Sequence, residues 1–231
     1  MDNRFVSAII LAAGSGSRMG GDKTKQQICV LGKSVLRRSV EIFQNCKLVS
    51  EIIVVAKEDE LDFAISETKG LSKVVNIVCG GRTRAESAAY GFRAVSNRCA
   101  YVAIHDAARC LVSVDDIGKV ITDAFEYGAA TASFKATDTI KKTDEEGFVS
   151  ETLDRTKTVH VLTPQVFSFD IYSKALAKAY ILDSSITDDN MLVEKIGVRP
   201  YCTQTRRDNV KITYPEDIVY AEFILKGKAN D

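Results

Sequence analysis

The sequence predicts an α/β fold with a mostly parallel sheet and helices on both of its faces. Two observations support this prediction. Short apolar runs alternate with helix-like segments along the first 135 residues, as in chains of repeated βα units. The first of these runs is almost continuously apolar, which is typical of a strand buried on both faces. Such sheets bind ligands at the carboxyl ends of their strands, so functional residues are expected in the loops that follow.

The predicted elements follow one another in a regular order. The strands are expected at residues 5–11, 52–56, 74–79, 100–105 and 129–135. The helices between them are expected at residues 34–46, 59–69, 83–95 and 114–127. Ser34 is a suitable N-cap for the first helix because its hydroxyl can accept a hydrogen bond from an unpaired backbone N–H. A last strand at Val210–Ile212 and a helix over about residues 215–226 complete the pattern.

The alternation of strands and helices breaks after residue 136. Thr139–Lys142 and Phe148–Thr152 flank a turn-like segment, which predicts a two-stranded hairpin outside the sheet. A lone hairpin is only marginally stable in water. We therefore expect residues 137–157 to form an arm that packs on something else, with a second subunit as the obvious candidate. Because no linker or internal repeat is found, residues 1–231 are predicted to form a single domain.

Composition narrows the range of partners. The 231 residues carry 31 basic and 31 acidic side chains, so no basic excess points to a nucleic-acid polymer. No apolar run approaches the roughly 20 residues that span a bilayer, and no signal peptide is expected. The six cysteines are scattered, and we expect the four in or beside apolar segments to be small core residues; these are Cys29, Cys79, Cys99 and Cys202. Neither a zinc site nor a disulfide framework is expected, which suits the cytoplasm.

The loop after the first strand is rich in glycine and small residues, which let backbone N–H groups approach phosphate oxygens. Arg18 and Lys25 add two cations to it. A dinucleotide-binding loop is disfavoured because Met19 stands where its third glycine belongs. A Walker A loop is disfavoured as well, since Gln27 occupies the place of its first glycine. This loop is therefore predicted to bind the phosphates of a nucleotide.

Ordered motifs along the chain make the interpretation more specific. They are Leu11-Ala-Ala-Gly-x-Gly-x-Arg-Met19, Gly80-Gly-x-x-Arg-x-x-Ser87, His105-Asp-Ala-Ala-Arg109, Asp154-Arg155, Leu162-Thr-Pro-Gln165, Thr187-Asp-Asp189 and Asp208-Asn-Val-Lys-Ile-Thr213. From about residue 6 to 225 the chain resembles the nucleotidylyltransferases, and among them the cytidylyltransferases that act on 2-C-methyl-D-erythritol 4-phosphate. The resemblance implies a Rossmann-like sheet of the nucleotide-diphospho-sugar transferase type, carrying the arm.

The resemblance also implies a reaction and a set of site residues. CMP passes from CTP to methylerythritol phosphate in the non-mevalonate isoprenoid pathway, and pyrophosphate leaves. The catalytic residues would be Arg18, Lys25 and Lys211. The nucleotide would be bound by Ala12, Ala13, Gly14, Ser15, Gly16, Gly80, Gly81, Arg82, Ser87 and Asp106. The acceptor would be bound by Arg109, Thr163, Thr187 and Asp188, and by Thr139 and Arg155 from the arm of a second subunit in a homodimer.

One carboxylate at the end of the fourth strand indicates a divalent cation. Asp106 can ligate Mg²⁺, or another divalent ion, because hard cations prefer oxygen ligands and substrate phosphates. His105 is interpreted as a packed, structural histidine, since transfer to an acceptor that is already anionic needs no strong base. Arg84 can equally be a structural residue of its helix.

Three positions depart from the family's pattern. Thr24 and Cys110 stand where the family usually has proline, and Thr205 replaces a glycine. The first two remove rigid turn residues, so they affect loop geometry rather than chemistry. Cys110 is interpreted as a small apolar filler, with a reactive thiol as the alternative.

The sequence disfavours three other functions. A cytidylyltransferase for ribitol 5-phosphate is disfavoured by Leu162 and by the Ala-Ala after Asp106. A non-catalytic nucleotide-binding module is disfavoured because binding alone does not require the complete charged set of Arg18, Lys25, Asp106 and Lys211. An NAD-dependent oxidoreductase is disfavoured by the missing glycine.

Overall fold

The computed structural model describes residues 4–14, 24–178 and 186–228. The strands are β1 Val6–Leu11, β2 Cys29–Val30, β3 Lys33–Ser34, β4 Glu51–Ala56, β5 Val74–Cys79, β6 Tyr101–Asp106, β7 Ala129–Lys135, β8 Lys141–Thr143, β9 Val149–Thr152, β10 Val159–Ser168 and β11 Tyr201–Gln204. The helices are α1 Val35–Asn45, α2 Leu61–Thr68, α3 Arg84–Arg93, α4 Val114–Tyr127, α5 Phe169–Lys178, α6 Asp189–Glu194 and α7 Pro215–Lys228.

The central sheet has seven strands in the order β11-β7-β10-β6-β1-β4-β5. The pairs β6–β1, β1–β4 and β4–β5 are parallel, and so is β11–β7. β10 alone runs against its two neighbours in this sheet, β6 and β7. The mostly parallel α/β architecture predicted from the sequence is therefore confirmed.

Apolar layers cover both faces of the sheet. All six residues of β1 and of β4 are buried, which explains why their sequences are almost continuously apolar. The two polar residues, Ser7 and Glu51, are hydrogen-bonded to each other. Ala8 and Ile10 belong to the apolar cluster on one face, with Phe43 of α1. Ile9 belongs to the cluster on the other face, with Phe92 of α3. Helices on both faces thus hold β1 at the centre of the molecule.

Local signals in the sequence set the helix boundaries. The Ser34 hydroxyl accepts a hydrogen bond from the Arg37 N–H, so the predicted N-cap of α1 is confirmed. Leu31 and Gly32, just before it, have φ angles of 46° and 76° and form the turn between β2 and β3. The Gly-Lys-Ser at 32–34 is therefore a turn and a helix cap. α4 ends at Gly128, whose φ of 80° suits a left-handed C-cap.

The second half of the sheet differs from the prediction in two places. Val210–Ile212 is not a strand, and the strand of this region is β11, which pairs with β7. The N–H of the buried Ile212 donates to the carbonyl of Ala108, which lies in the turn after β6. The segment is therefore bonded to a turn and not to a strand. The antiparallel strand β10 was not predicted, because polar residues and a proline interrupt its apolar pattern.

The predicted hairpin forms outside the central sheet. β8 and β9 pair only with each other, and every residue in them is exposed. The turn is closed by Asp144, whose carboxylate accepts from the N–H groups of Glu146 and Phe148. Phe148 and Val149 expose 69% and 60% of their surface, so the arm carries two exposed apolar side chains.

Cysteine positions correct one expectation. Cys99 is buried as predicted, but Cys29, Cys79 and Cys202 are exposed, because they lie on short or edge strands. Cys46 and Cys110 are buried instead, and none of the six cysteines forms a disulfide. Among the described residues, no helix combines the length and the apolar character needed to cross a membrane.

Candidate active site

A cleft of about 530 Å³ opens at the carboxyl ends of the central strands. Eight of the predicted site residues line it together: Ala13, Gly14, Lys25, Gly81, Arg82, Ser87, Asp106 and Lys211. Other residues that line it include Gln26, Lys57, Thr83 and Arg84, which were not predicted as site residues. The position of the cleft agrees with the general rule that open α/β sheets bind ligands at the carboxyl ends of their strands.

Asp106 is the electrostatic centre of the cleft. It ends β6 and is only 8% exposed. Its Oδ2 accepts from Lys211 Nζ at 2.7 Å, and its Oδ1 accepts from Arg84 Nε at 3.2 Å. Lys211 reaches the cleft from the irregular segment between β11 and α7, so it lies beside Asp106 although it is not on a strand.

These ion pairs keep Asp106 charged. Burial by itself raises the pKa of this carboxyl, but the charges of Arg84 and Lys211 outweigh it and hold the pKa below its usual value. For Arg84, burial favours the neutral form, while Asp189 and Asp106 raise its pKa above the usual value. The cleft therefore holds fixed charges of both signs at neutral pH.

The turn between β5 and α3 is tightly packed. A side chain at Gly80 would place its Cβ 2.4 Å from that of Ala13, and one at Gly81 would lie 2.3 Å from Glu86 Cγ. Ser87 Oγ accepts from the Gly81 N–H at 3.0 Å and donates to the Thr83 carbonyl at 2.9 Å. Glycine is thus required for the turn to approach the loop after β1, and Ser87 holds its shape.

The segment after the glycine-rich loop starts with Thr24. Its φ of −74° lies in the range that a proline ring would fix, so this departure from the family leaves the backbone in the same region. Its N–H donates to Gln27 Oε1 at 3.3 Å, a bond that proline cannot make. Lys25 follows, 7% exposed and facing the cleft. The predicted residues Ser15, Gly16 and Arg18 lie outside the described residues. Ala12 is described, and its N–H donates to the Val55 carbonyl.

His105 lies behind Asp106, fully buried. The Arg109 carbonyl, 3.2 Å from Nε2, can only accept, so Nε2 carries the proton and Nδ1 accepts from the Thr163 hydroxyl at 3.0 Å. The Thr163 hydroxyl also accepts from the Asp106 N–H. Burial lowers the pKa of His105 to about 3. His105 is thus a neutral, packed residue, as its sequence context suggested.

The depressed pKa of His105 predicts a loss of stability in mild acid. The unfolded chain binds a proton to this histidine near pH 6.5, whereas the folded chain does so only near the folded pKa of about 3. The stability is therefore fully present above pH 6.5 and declines as the pH falls, by about 2 kcal/mol between about pH 7 and pH 5. Urea unfolding of the wild type and of His105→Gln at both pH values measures this loss of unfolding free energy. The variant should lose clearly less stability over this interval, and equal losses would contradict the assignment.

The predicted acceptor residues divide into two groups. Arg109, Thr163, Thr187 and Asp188 are near the sheet, whereas Thr139 and Arg155 lie at the base of the arm. Arg109 Nη1 donates to the Asn209 carbonyl at 2.9 Å, and Asp188 caps α6 by accepting from the Met191 N–H. These contacts fix the positions of Arg109 and Asp188.

The other two departures from the family pattern have structural explanations. Cys110 is buried in an apolar cluster with Val30, Val35 and Ile212, which confirms it as a small apolar filler. Thr205 donates from its hydroxyl and from its N–H to the Ser133 carbonyl, at 3.1 and 2.8 Å. The polar threonine thus ties the end of β11 to β7.

The residues at Asp106 fit a divalent cation. No cluster of three or more acidic, histidine or cysteine side chains occurs in the described part of the chain, so a fully protein-built metal cage is not formed there. Mg²⁺ usually takes only one or two carboxylates, with phosphates and waters as its other ligands. The Asp106 carboxylate is charged and has lone pairs beyond those that accept from Arg84 and Lys211.

The sequence reasoning missed the network behind Asp106. Arg84 Nη1 donates to Asp189 Oδ2 at 2.6 Å, and the Tyr172 hydroxyl donates to Asp189 Oδ1 at 2.7 Å. The Asp189 N–H donates to Gln165 Oε1. Arg84, Gln165 and Asp189 all stand within the quoted motifs, which was the available signal, but Tyr172 lies in an ordinary helix sequence.

Comparisons with known proteins agree with this geometry. The family profile described as 2-C-methyl-D-erythritol 4-phosphate cytidylyltransferase matches residues 6–227. The chain is 41% identical over 222 residues to the protein of that name from Clostridium acetobutylicum, covering 95% of this chain and 96% of the relative. It is 37% identical over 222 residues to that of Haemophilus influenzae, covering 96% and 97%.

Solved structures give the same result. The fold is similar to that of 4-diphosphocytidyl-2C-methyl-D-erythritol synthase from Anaerococcus prevotii, with a TM-score of 0.88 and 29% identity over 97% of this chain and 100% of the other. A 2-C-methyl-D-erythritol 4-phosphate cytidylyltransferase from Thermus thermophilus aligns with a TM-score of 0.78 and 28% identity, covering 96% and 99%. With a profile match over nearly its whole length, the chain belongs to the 2-C-methyl-D-erythritol 4-phosphate cytidylyltransferase family.

Proposed function

We propose that this enzyme transfers CMP from CTP to 2-C-methyl-D-erythritol 4-phosphate, giving 4-diphosphocytidyl-2-C-methyl-D-erythritol and pyrophosphate. The observation that supports it best is the cleft, where Lys25, Asp106 and Lys211 face one space beside the Gly80–Gly81 turn. The family match favours methylerythritol phosphate over ribitol 5-phosphate as the acceptor.

The reaction is an in-line attack of an acceptor phosphate oxygen on the α-phosphate of CTP. Since that oxygen is already anionic, catalysis rests on positioning and on charge stabilisation. Lys25, with Arg18, neutralises the triphosphate and the departing pyrophosphate. Lys211 breaks its contact with Asp106 and binds the α-phosphate instead. His105 takes no part, because its neutral ring is fully buried.

The cleft offers neighbouring places for a nucleotide and for a divalent cation. The turn at Gly80 and Gly81, held by Ser87, lets backbone groups contact the edge of the cytosine ring. Mg²⁺, or another divalent ion, would be held by Asp106 together with phosphate oxygens, and when bound it would neutralise charge on the triphosphate.

An assay panel tests the proposal. Each of the four nucleoside triphosphates is incubated with methylerythritol phosphate or ribitol 5-phosphate, and pyrophosphate release is measured. CTP with methylerythritol phosphate is expected to be turned over fastest. Faster turnover of ribitol 5-phosphate would contradict the acceptor, and no release with any pair would contradict the enzymatic function.

The arm is proposed to complete the acceptor site of a second subunit in a homodimer. Three features support this: both of its strands are exposed, it pairs with no other strand, and it exposes Phe148 and Val149. Thr139 and Arg155 would then contact an acceptor that is bound mainly by the other subunit. The expected compartment is the cytoplasm, where cysteines outside disulfides, as found here, stay reduced.

Complementation between two inactive variants tests the shared site. Arg155→Ala damages only the arm, and Lys25→Ala damages only the body, so a mixed dimer contains one intact site. Co-expression in equal amounts should restore about a quarter of the wild-type activity, since about half of random dimers are mixed and each has one working site of two. Light scattering should show a dimer. A fully active monomer, or no recovery from two well-folded variants, would contradict the shared site.

A further inference from the structure

Arg84 connects two acidic residues that lie far apart in the sequence. It is the first residue of α3, directly after the N-cap Thr83. Its Nε donates to Asp106 Oδ1 at 3.2 Å, and its Nη1 donates to Asp189 Oδ2 at 2.6 Å. One guanidinium group thus joins the end of β6 to the first turn of α6.

On the α6 side, Arg84 binds Asp189, which is itself held in place by other residues. Asp189 and Tyr172 are both fully buried, and their 2.7 Å hydrogen bond fixes the second carboxylate oxygen of Asp189. The Asp189 backbone is also held, because its N–H donates to Gln165 Oε1 at 2.9 Å. A group held in this way can keep another group in a defined position.

The third nitrogen of Arg84, Nη2, is buried and has no hydrogen-bond partner among residues 4–14, 24–178 and 186–228. A buried donor of this kind is unusual and calls for an explanation. In a guanidinium group, Nη2 shares one edge with Nε, and that edge can bind both oxygens of a carboxylate. Nε already binds Asp106 Oδ1, while Asp106 Oδ2 is bound by Lys211. Arg84 thus has a second donor available on the edge that faces Asp106.

We propose that Arg84 is a positioning residue that holds Asp106 in place when Lys211 moves to the substrate. As Lys211 leaves Oδ2, Nη2 of Arg84 takes over this oxygen, and the single hydrogen bond becomes a two-point contact. Asp106 then stays fixed in the cleft while its other partner serves the reaction. This inference rests on the proposed function, because the function supplies the reason for Lys211 to move.

Variants at Arg84 separate positioning from charge. Arg84→Lys keeps the charge, but one ammonium group cannot reproduce the two-point contact with Asp106. Arg84→Met removes both the charge and the two-point contact. Both variants are expected to lower kcat about 10-fold to 100-fold, the effect of losing one hydrogen bond between charged groups. The KM for CTP should change less than about threefold. Arg93→Lys, at the exposed end of the same helix, is the matched control and should keep the wild-type kcat.

The split between kcat and KM gives a readout that a purely structural role does not produce. Arg84 holds Asp106 and is not assigned to the nucleotide, so its variants should lower kcat and leave the KM for CTP nearly unchanged. Equal losses in kcat and in CTP binding would contradict the positioning role.

A milder variant covers the case in which changes at Arg84 prevent folding. Tyr172→Phe removes one hydrogen bond from Asp189 and leaves Arg84 intact, so it should lower kcat about threefold. Unchanged kcat in Tyr172→Phe, or wild-type kcat in Arg84→Lys, overturns the positioning role while the function stands. No pyrophosphate release by the wild type overturns the proposed function itself.

Discussion

Replacing Lys25 with alanine is expected to lower kcat by about 100-fold or more. Removal of one positioned donor for developing charge typically costs about 100-fold to 1000-fold in rate. Lys25 is 7% exposed and faces the cleft, so its ammonium group acts where water screens charge poorly. Pyrophosphate release under saturating CTP and acceptor measures the effect, and circular dichroism verifies the fold.

Lys33→Ala is the matched control for this experiment. Lys33 lies in the β2–β3 hairpin and pairs at the surface with Glu41, away from the cleft. Its loss should leave kcat unchanged, since exposed ion pairs contribute little. If the two variants had the same kcat, Lys25 would have no part in the mechanism.

Replacing Lys211 with methionine is expected to have an effect of similar size, again about 100-fold or more in kcat. Methionine keeps an unbranched chain but has no charge to stabilise the α-phosphate. Asp106 loses its 2.7 Å contact with Lys211 and keeps its hydrogen bond from Arg84. Single-turnover measurements with bound CTP isolate the chemical step, in which the loss should appear.

Binding of CTP separates the two lysines. Lys25 is assigned to the whole triphosphate, so Lys25→Ala should weaken CTP binding as well as kcat. Lys211 is assigned mainly to the reacting phosphate, so calorimetry should find nearly wild-type CTP affinity in Lys211→Met. Lys226→Met, on the surface of α7, is the control with unchanged rate. A large loss of affinity with an intact chemical step in Lys211→Met would contradict its assignment.

Most of the first half of the fold could be predicted from the sequence because its signals are local. The apolar runs of β1 and β4 reflect burial on both faces. The structure gives β7 and α4 the predicted boundaries, and Gly128 caps α4 at its C-terminal end. The arm was predictable because the βα alternation stops there and a turn-like segment follows.

The second half was harder to predict, because distant contacts decide its structure. β10 is a strand only because it fits between β6 and β7, which its interrupted apolar pattern does not reveal. Lys211 was expected on a strand, but it lies in an irregular segment. The next residue, Ile212, donates its backbone hydrogen bond to Ala108 in a turn. The charged motifs did indicate the cleft, but the sequence could not show which partners Arg84 would have.

The strand order has a consequence for how the newly made chain folds. The four strands β1, β4, β5 and β6, which position Asp106 and the turn at Gly80 and Gly81, can pair as soon as residue 106 has emerged from the ribosome. β7 comes next, but its neighbours in the finished sheet, β10 and β11, are made later. Because domains fold from the N-terminus during synthesis, the nascent chain carries an unpaired β7 until residue 168 emerges. We therefore expect this interval to be the one in which the chain most needs a chaperone.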